Sequence, residues 1–193
     1  YRRQRQMCIR DRTEEGDEVL IQRPVYYPFA DSIQQQKRVV VNSPLQLRDG
    51  RYEIDFADFE RKAASPRCRA FVLSNPHNPV GRVYTEEELR RVGEICRRHH
   101  VFVIADEIHS DLIFPGHQHI VFASLGQDYA ENCAVCHAPS KTFNLAGLSF
   151  SCIMIPNEER RKRFDQMFAR YCRAHPNFFA PVAAKAAWDH GEA

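Results

Sequence analysis

The sequence has no apolar run long enough to cross a membrane, and it has no marked excess of one charge. Its 193 residues carry a formal net charge of +2, so neither a membrane nor a polyanion such as nucleic acid is expected as a partner. Internal repeats and low-complexity linkers are also missing. Its length allows at most two domains, and with 44% of the residues hydrophobic it can form one sizeable core.

A disulfide framework is absent as well, since the seven cysteines are odd in number and irregularly spaced. We therefore expect a reducing compartment, the cytoplasm. Cys133 and Cys136 lie three residues apart in an apolar run that is typical of a strand, so their side chains should point to opposite faces and share no metal. His117 and His119 are expected to be ordinary loop histidines with no adjoining carboxylate cluster, and no metal site is predicted.

The first twelve residues differ in composition from the rest of the chain. They contain five arginines and one aspartate, a net charge of +4, which leaves −2 for the remainder. They show neither a hydrophobic period nor a capping pattern, and their apolar residues are too few for a signal peptide. A basic arm that binds nucleic acid or membrane is one interpretation. We favour a non-native leader at 1–12, and assign the predicted domain to 13–193.

Apolar strands and amphipathic helices alternate along the chain, which predicts an α/β fold with a doubly wound, mostly parallel sheet. The predicted strands are 18–22, 38–42, 69–74, 101–105, 132–136 and 150–155. The predicted helices are 55–64, 85–100, 158–173 and 177–190, the second beginning with a capping box at Thr85 and Glu88. In such folds ligands bind beyond the carboxyl ends of the strands.

Three polar residues follow predicted strands in this way. Asn78 lies in the loop after the third strand, Asp106 directly follows the fourth, and Lys141 comes shortly after the fifth. Lys141 stands between hydroxyl and apolar neighbours, so we expect partial desolvation that makes its amine a better nucleophile, suited to a Schiff base with a carbonyl compound such as pyridoxal phosphate. Taken alone, this short motif favours an ordinary loop lysine, because short motifs match by chance.

Each neighbouring candidate also has two interpretations. Asp106 is either the N-cap of a helical turn at 107–112 or the partner of a pyridinium nitrogen. Asn78, between two prolines, is a fixed amide donor suited to a phenolic oxygen, and His109 either supports that oxygen or is an ordinary loop histidine. Tyr26 either packs within its proline-bounded loop or stacks on a planar ligand.

Three motifs together resemble the class I/II aminotransferase-fold enzymes that depend on pyridoxal phosphate. They are Asn-Pro-His-Asn-Pro-Val-Gly at 75–81, Asp-Glu-Ile-His-Ser-Asp at 106–111, and Ala-Pro-Ser-Lys-Thr-Phe-Asn-Leu-Ala-Gly at 138–147. More narrowly, they resemble the MalY/PatB branch of cystathionine β-lyases, also called C–S lyases. The resemblance runs from about residue 13 to the end and implies a pyridoxal-phosphate-binding large domain, truncated at both ends, with the small C-terminal domain absent.

The resemblance also implies roles for individual residues. Lys141 would bind the cofactor covalently and take the substrate Cα proton. Asp106 would hold the pyridine nitrogen, Asn78 the ring hydroxyl, and Tyr26 the ring face, with Ser140 a weaker candidate for the phosphate. Three departures speak against an ordinary aminotransferase, where Tyr, Arg and Ser are frequent at the positions of His109, Ser149 and Ala138.

The implied activity is β-elimination from cystathionine or a cysteine S-conjugate, releasing a thiol, pyruvate and ammonia. The family resemblance further implies a small amino-acid substrate and a homodimer at full length, so residues 1–193 alone are expected to be inactive. Three alternatives stay open. One is an aminotransferase, another is an aminotransferase-like domain that senses an effector in a transcription regulator, and the last is a fragment with no function of its own.

Overall fold

The structure, a computed structural model, describes residues 2–171 and 177–191, with side chains from Gln6 onward. Within these residues there are eight strands: β1 Glu18–Ile21, β2 Val39–Asn42, β3 Gln46–Arg48, β4 Arg51–Glu53, β5 Cys68–Ser74, β6 Phe102–Asp106, β7 Cys133–His137 and β8 Cys152–Met154. The same residues form seven α-helices: α1 Arg2–Arg12, α2 Pro28–Gln34, α3 Phe56–Ala63, α4 Glu86–Arg98, α5 Gln127–Ala130, α6 Glu158–Tyr171 and α7 Ala180–His190.

Six of these strands form one sheet in the order β2-β1-β5-β6-β7-β8, and β3 and β4 form a separate hairpin. All neighbours in the large sheet are parallel except β7 and β8, which are antiparallel. The chain moves outward from β1 in one direction to β2 and in the other through β5, β6 and β7 to β8. The predicted doubly wound, mostly parallel α/β fold is therefore confirmed.

Two apolar cores cover the two faces of this sheet. On one face Phe71 of β5 packs with Phe59 of α3 and Leu89 of α4. On the other face Val72 of the same strand belongs to a core with Ile33 of α2. Because successive strand residues point to opposite faces, the unbroken apolar run of β5 is buried on both sides, as its sequence predicts.

The same alternation separates the two cysteines of β7. Cys133 is buried in the core of one face, whereas Cys136 is buried in the core of the other. The prediction that these two sulfurs point to opposite faces is confirmed. The capping box is confirmed too: Thr85 Oγ1 accepts a hydrogen bond from the Glu88 N–H at 3.2 Å, and the Glu88 carboxylate accepts one from the Thr85 N–H at 2.8 Å.

Leaving residues 1–12 out of the fold was wrong. Apart from Tyr1, which lies outside the described residues, they form helix α1, and Met7, Cys8 and Ile9 are buried in the second core. Asp11 is buried as well, with its carboxylate 2.8 Å from the Arg12 guanidinium. The many arginines make this segment look like a solvent-exposed arm. Its three consecutive apolar residues are nevertheless enough to pack a short helix against an apolar sheet.

Several element boundaries also differ from the predictions. Helix α2 was missed, although Pro28 stands in its first turn, where proline is favoured. Strand β8 and helix α7 are shorter than predicted, and positions 172 and 173 of the sixth helix lie outside the described residues. The segment 107–112 forms turns rather than a helix. None of the described helices has both the length and the apolar character that a membrane span requires.

Candidate active site

The carboxyl ends of β5, β6 and β7 meet at a cavity of about 230 Å³. All six residues predicted for the site line it: Tyr26, Asn78, Asp106, His109, Ser140 and Lys141. Tyr26 comes from the loop after β1, while Ser149 and Phe150 reach the cavity from the segment before β8. Four neighbouring strands of a parallel sheet thus bring together residues that are more than a hundred positions apart.

Asp106 is the last residue of β6 and is buried. Its carboxylate accepts a hydrogen bond from the Ile108 N–H, which favours the charged form. Burial outweighs this contact and, with the nearby negative charge of Glu107, raises the pKa of Asp106 to about 7. No helix follows Asp106, so its carboxylate caps a turn of the chain and not a helix. A positive charge entering the cavity would stabilise the ionised carboxylate.

Asn78 is fixed to both neighbouring segments by its backbone. Its N–H donates to the Ser74 hydroxyl at 3.3 Å, and its carbonyl oxygen accepts from the Tyr26 N–H at 2.9 Å. The second bond joins the loop after β5 to the loop after β1. Tyr26 keeps 40% of its surface exposed and meets Phe29 edge to face, with ring centroids 5.8 Å apart. An exposed ring face beside a fixed amide is suited to a planar ligand.

A buried histidine, His77, supports this loop, and no sequence pattern indicates its role. The Nε2–H of His77 donates to the Pro24 carbonyl oxygen at 2.9 Å, and its Nδ1 accepts from the Tyr84 hydroxyl at 2.8 Å. Burial lowers the pKa of His77 to about 4, so the ring is neutral, and a single proton on Nε2 fits both partners. Of the two polar residues at positions 77 and 78, therefore, one supports the loop and the other faces the cavity.

Lys141 lies in the turn after β7, where the Phe143 N–H donates to the Pro139 carbonyl oxygen at 2.9 Å. The expectation of a partly desolvated lysine is wrong for the described chain, because Lys141 is exposed at the cavity mouth. His109, half-buried across the cavity, has its pKa lowered by burial and then by the charge of Lys141. A neutral imidazole is therefore available there as a hydrogen-bond donor or acceptor.

His119 has one carboxylate partner, which was not predicted from the sequence. Its Nε2 lies 3.0 Å from the carboxylate of Glu107, which is buried directly behind Asp106. The other oxygen of Glu107 accepts the Phe122 N–H at 2.8 Å. Glu107 thereby closes the segment 107–122, which carries His109, into a compact loop. No short-range pattern links residues twelve and fifteen positions apart, which is why the sequence did not reveal these contacts.

The polar groups around the cavity suit pyridoxal phosphate. One amine, one buried carboxylate and one amide match the aldehyde, the ring nitrogen and the ring hydroxyl of that cofactor, and Tyr26 and Phe29 supply aromatic surface. The hydroxyls of Ser140 and Ser149 are the lining groups that suit a phosphate. Among the described residues, Lys141 supplies the only permanent positive charge in this lining.

Comparison with known proteins agrees with this geometry. The model of the family described as aminotransferase class I and II matches residues 4–192. The chain belongs to this family. The match includes most of helix α1, and it confirms the resemblance predicted from the three motifs.

Individual relatives of this chain include both lyases and aminotransferases. It is 45% identical over 185 residues to the cystathionine beta-lyase PatB of Bacillus subtilis, covering 96% of this chain and 48% of PatB. Cystalysin from Treponema denticola, whose structure contains pyridoxal 5'-phosphate, superimposes with a TM-score of 0.96 at 34% identity, over 99% of this chain and 48% of cystalysin. An aspartate aminotransferase from Geobacillus stearothermophilus is 28% identical over 175 residues, 91% of this chain and 44% of that enzyme. The chain therefore spans about half the length of these relatives.

Proposed function

We propose that this chain is the cofactor-binding part of a pyridoxal-phosphate-dependent C–S β-lyase. The whole enzyme acts on cystathionine or a cysteine S-conjugate and releases a thiol, pyruvate and ammonia. The observation that carries the proposal is the convergence of Lys141, Asp106 and Asn78 on one cavity at the carboxyl ends of three adjacent parallel strands. These groups are an amine nucleophile, a carboxylate and an amide donor, which the cofactor requires together.

Seven lining residues have a defined part in holding the cofactor. Lys141 binds its aldehyde covalently, and Asp106 pairs with the ring nitrogen. Asn78 donates to the ring hydroxyl, and the neutral imidazole of His109 supports the same oxygen. Tyr26 covers a face of the ring. Ser140 and Ser149 donate hydroxyl hydrogen bonds to the phosphate.

When bound, pyridoxal phosphate supplies an electron sink that stabilises a carbanion at the substrate Cα. Asp106 serves this chemistry by keeping the ring nitrogen protonated. A protonated nitrogen beside it offsets the burial that raises the pKa of Asp106, so the carboxyl is ionised in the occupied site. Lys141 would accept the Cα proton of the substrate on its Nζ. Its exposed position at the cavity mouth leaves the amine accessible to the substrate.

Two observations favour a lyase over an aminotransferase. Identity to the lyase PatB is 45%, compared with 28% to the aspartate aminotransferase. In addition, His109 and Ser149 stand in the cavity lining at positions where aminotransferases frequently have Tyr and Arg. The aminotransferase remains the second candidate, because both reactions share every step up to the carbanion.

The whole protein is expected to need more than this chain. We propose that it binds a small amino-acid substrate as a homodimer, and that the group holding the substrate carboxylate lies outside residues 1–193. Measurable pyruvate release by residues 1–193 alone would contradict this. We also propose a cytoplasmic location, which is supported by the six described cysteines being free thiols, five of them buried.

An absorbance experiment followed by product analysis tests the function. The whole protein, its Lys141→Ala variant and a Lys185→Ala control, which removes an exposed lysine paired with Asp189, are mixed with pyridoxal phosphate. A visible band is expected in the wild type and the control and not in Lys141→Ala. With cystathionine, we expect pyruvate formation without an added keto acid. Amino-group transfer to a keto acid instead would establish the aminotransferase, and a folded protein without any band would leave a cofactor-free effector-binding domain.

A further inference from the structure

One hydrogen bond joins the turn that carries Lys141 to the turn that carries His109. The hydroxyl Oγ1 of Thr142 donates to the carboxylate Oδ2 of Asp111 at 2.7 Å. Thr142 directly follows Lys141, and Asp111 is two residues beyond His109. The contact therefore spans the cavity mouth between two residues of the site, although neither Thr142 nor Asp111 lines the cavity.

Asp111 has further contacts within its own turn and with the end of β7. Its Oδ1 accepts from the Ser110 hydroxyl at 3.2 Å, and its Oδ2 lies 3.9 Å from Nε2 of His137, the last residue of β7. The His137 ring in turn stacks on Trp188 of α7, with centroids 5.8 Å apart and planes inclined by 18°. The carboxylate therefore has a serine hydroxyl and a histidine ring beside it, in addition to Thr142.

The position of Lys141 depends strongly on such an anchor. Its side chain is long and exposed, so burial does not restrict where the amine points. The turn around it has one internal backbone bond, from the Phe143 N–H to the Pro139 carbonyl oxygen. The Thr142–Asp111 hydrogen bond adds a side-chain contact next to the lysine. It connects the lysine turn to the segment after β6, on the side of the cavity where Asp106 and His109 lie.

We propose that Asp111 and Thr142 are positioning residues for Lys141. Their hydrogen bond holds the lysine turn against the end of β6, so that the amine faces a carbonyl group bound beside Asp106. This inference rests on the proposed function for the identity of that carbonyl compound, pyridoxal phosphate. A purely structural role would lower the stability of the fold without changing the rate at which Lys141 reacts in the folded protein.

The test is a double-mutant cycle on the whole protein. Thr142→Val keeps the side-chain shape and removes the hydroxyl donor, Asp111→Ala removes the acceptor, and the double variant closes the cycle. Thr142→Ser is the rescue variant. Ser124→Ala is the matched control, because it removes an exposed hydroxyl hydrogen bond, to the Val121 carbonyl oxygen, in a distant segment.

Two quantities are measured on variants that keep the wild-type circular dichroism. The first is the rate at which the visible band forms when pyridoxal phosphate is added to the cofactor-free protein. The second is hydrogen exchange of the backbone amides of residues 140–145 before any cofactor is added. We expect Thr142→Val and Asp111→Ala each to slow attachment roughly three- to tenfold and to accelerate exchange. The double variant should be no slower than either single one, with Thr142→Ser and Ser124→Ala close to wild type.

An unchanged attachment rate in Thr142→Val would overturn the proposal. Additive slowing in the double variant would overturn it too, because the two residues would then act independently. If the wild type forms no band at all, the proposed function fails. Hydrogen exchange in the cofactor-free protein then decides whether the Thr142–Asp111 hydrogen bond restrains the lysine turn. Faster exchange in Thr142→Val supports this restraint, and unchanged exchange refutes it.

Discussion

Ser74 and Asp106 are register partners on adjacent parallel strands, so β5 and β6 end side by side at the same edge of the sheet. The next backbone group continues this pairing, because the Asn75 N–H donates to the Asp106 carbonyl oxygen at 3.0 Å. The Ser74 hydroxyl then accepts the Asn78 N–H. The pairing of two strand ends thereby places an amide and a carboxylate, 28 positions apart in sequence, on one cavity.

The charge of Asp106 should make the stability of the cofactor-free protein depend on pH. Its folded pKa of about 7 lies above the unfolded value of 3.8, so its contribution to stability is fully present below pH 3.8 and is lost as the pH rises through 7. Asp106→Asn has no carboxyl to ionise at this position, so its stability does not fall in this way as the pH rises. The free energy of unfolding of Asp106→Asn should therefore rise relative to wild type by up to about 4 kcal/mol between pH 4 and pH 8.

Urea denaturation of both proteins at a series of pH values checks this. His77 gives the opposite slope in the same range, since its folded pKa of about 4 lies below the unfolded 6.5, but it is common to both proteins and cancels in the difference. A difference that does not change with pH would contradict the account. Added pyridoxal phosphate should stabilise the wild type more than Asp106→Asn, because only the wild type supplies a carboxylate for the ring nitrogen.

Much of the fold and the cavity followed from local patterns. The unbroken apolar run of β5 predicted a strand buried on both faces, and the capping box at Thr85 predicted where α4 begins. Asp106 and Lys141 line one cavity, as expected for polar residues that follow neighbouring parallel strands. The β3–β4 hairpin was missed, although the Asp-Gly pair at 49–50 is typical of a hairpin turn, because each of its strands has only three residues.

The failures involve long-range contacts. The pairing of Glu107 with His119 depends on how the segment 107–122 folds back, and the exposure of Lys141 depends on which elements cover the cavity mouth. Neither leaves a pattern among neighbouring residues. Helix α1 was excluded on composition, whereas the sheet surface on which it packs decides its place.

Glu107→Ala tests the buried pair directly. This variant leaves the Phe122 N–H without its acceptor and His119 without its carboxylate, so we expect the free energy of unfolding to fall by about 3 kcal/mol. Glu107→Gln retains an acceptor for the N–H and should lose roughly 1 kcal/mol. The measurement is urea denaturation, with the exposed Glu87→Ala as the control, expected to change stability by less than about 0.5 kcal/mol. Equal stabilities of Glu107→Ala and Glu87→Ala would refute the role of the pair.

Ile9→Ala tests whether α1 belongs to the fold. Ile9 has no exposed surface in the second core, so the truncation should leave a cavity and lower the free energy of unfolding by about 3 kcal/mol. Arg10→Ala on the same helix removes an exposed side chain that lies over the Tyr171 ring and should lower it by less than about 1 kcal/mol. If thermal and urea unfolding of Ile9→Ala match the wild type, the helix contributes nothing to the core.

The covalent role of Lys141 is tested most directly by locating the modified lysine. The whole protein is incubated with pyridoxal phosphate, reduced with borohydride to fix the bond between amine and aldehyde, digested and analysed by mass spectrometry. The chain contains five lysines, so Lys37, Lys62, Lys162 and Lys185 serve as internal controls. We expect a stoichiometric pyridoxyl group on Lys141 and at most traces on the others. Modification spread evenly over the exposed lysines, or confined to a lysine other than Lys141, would contradict the assignment of this cavity as the cofactor site.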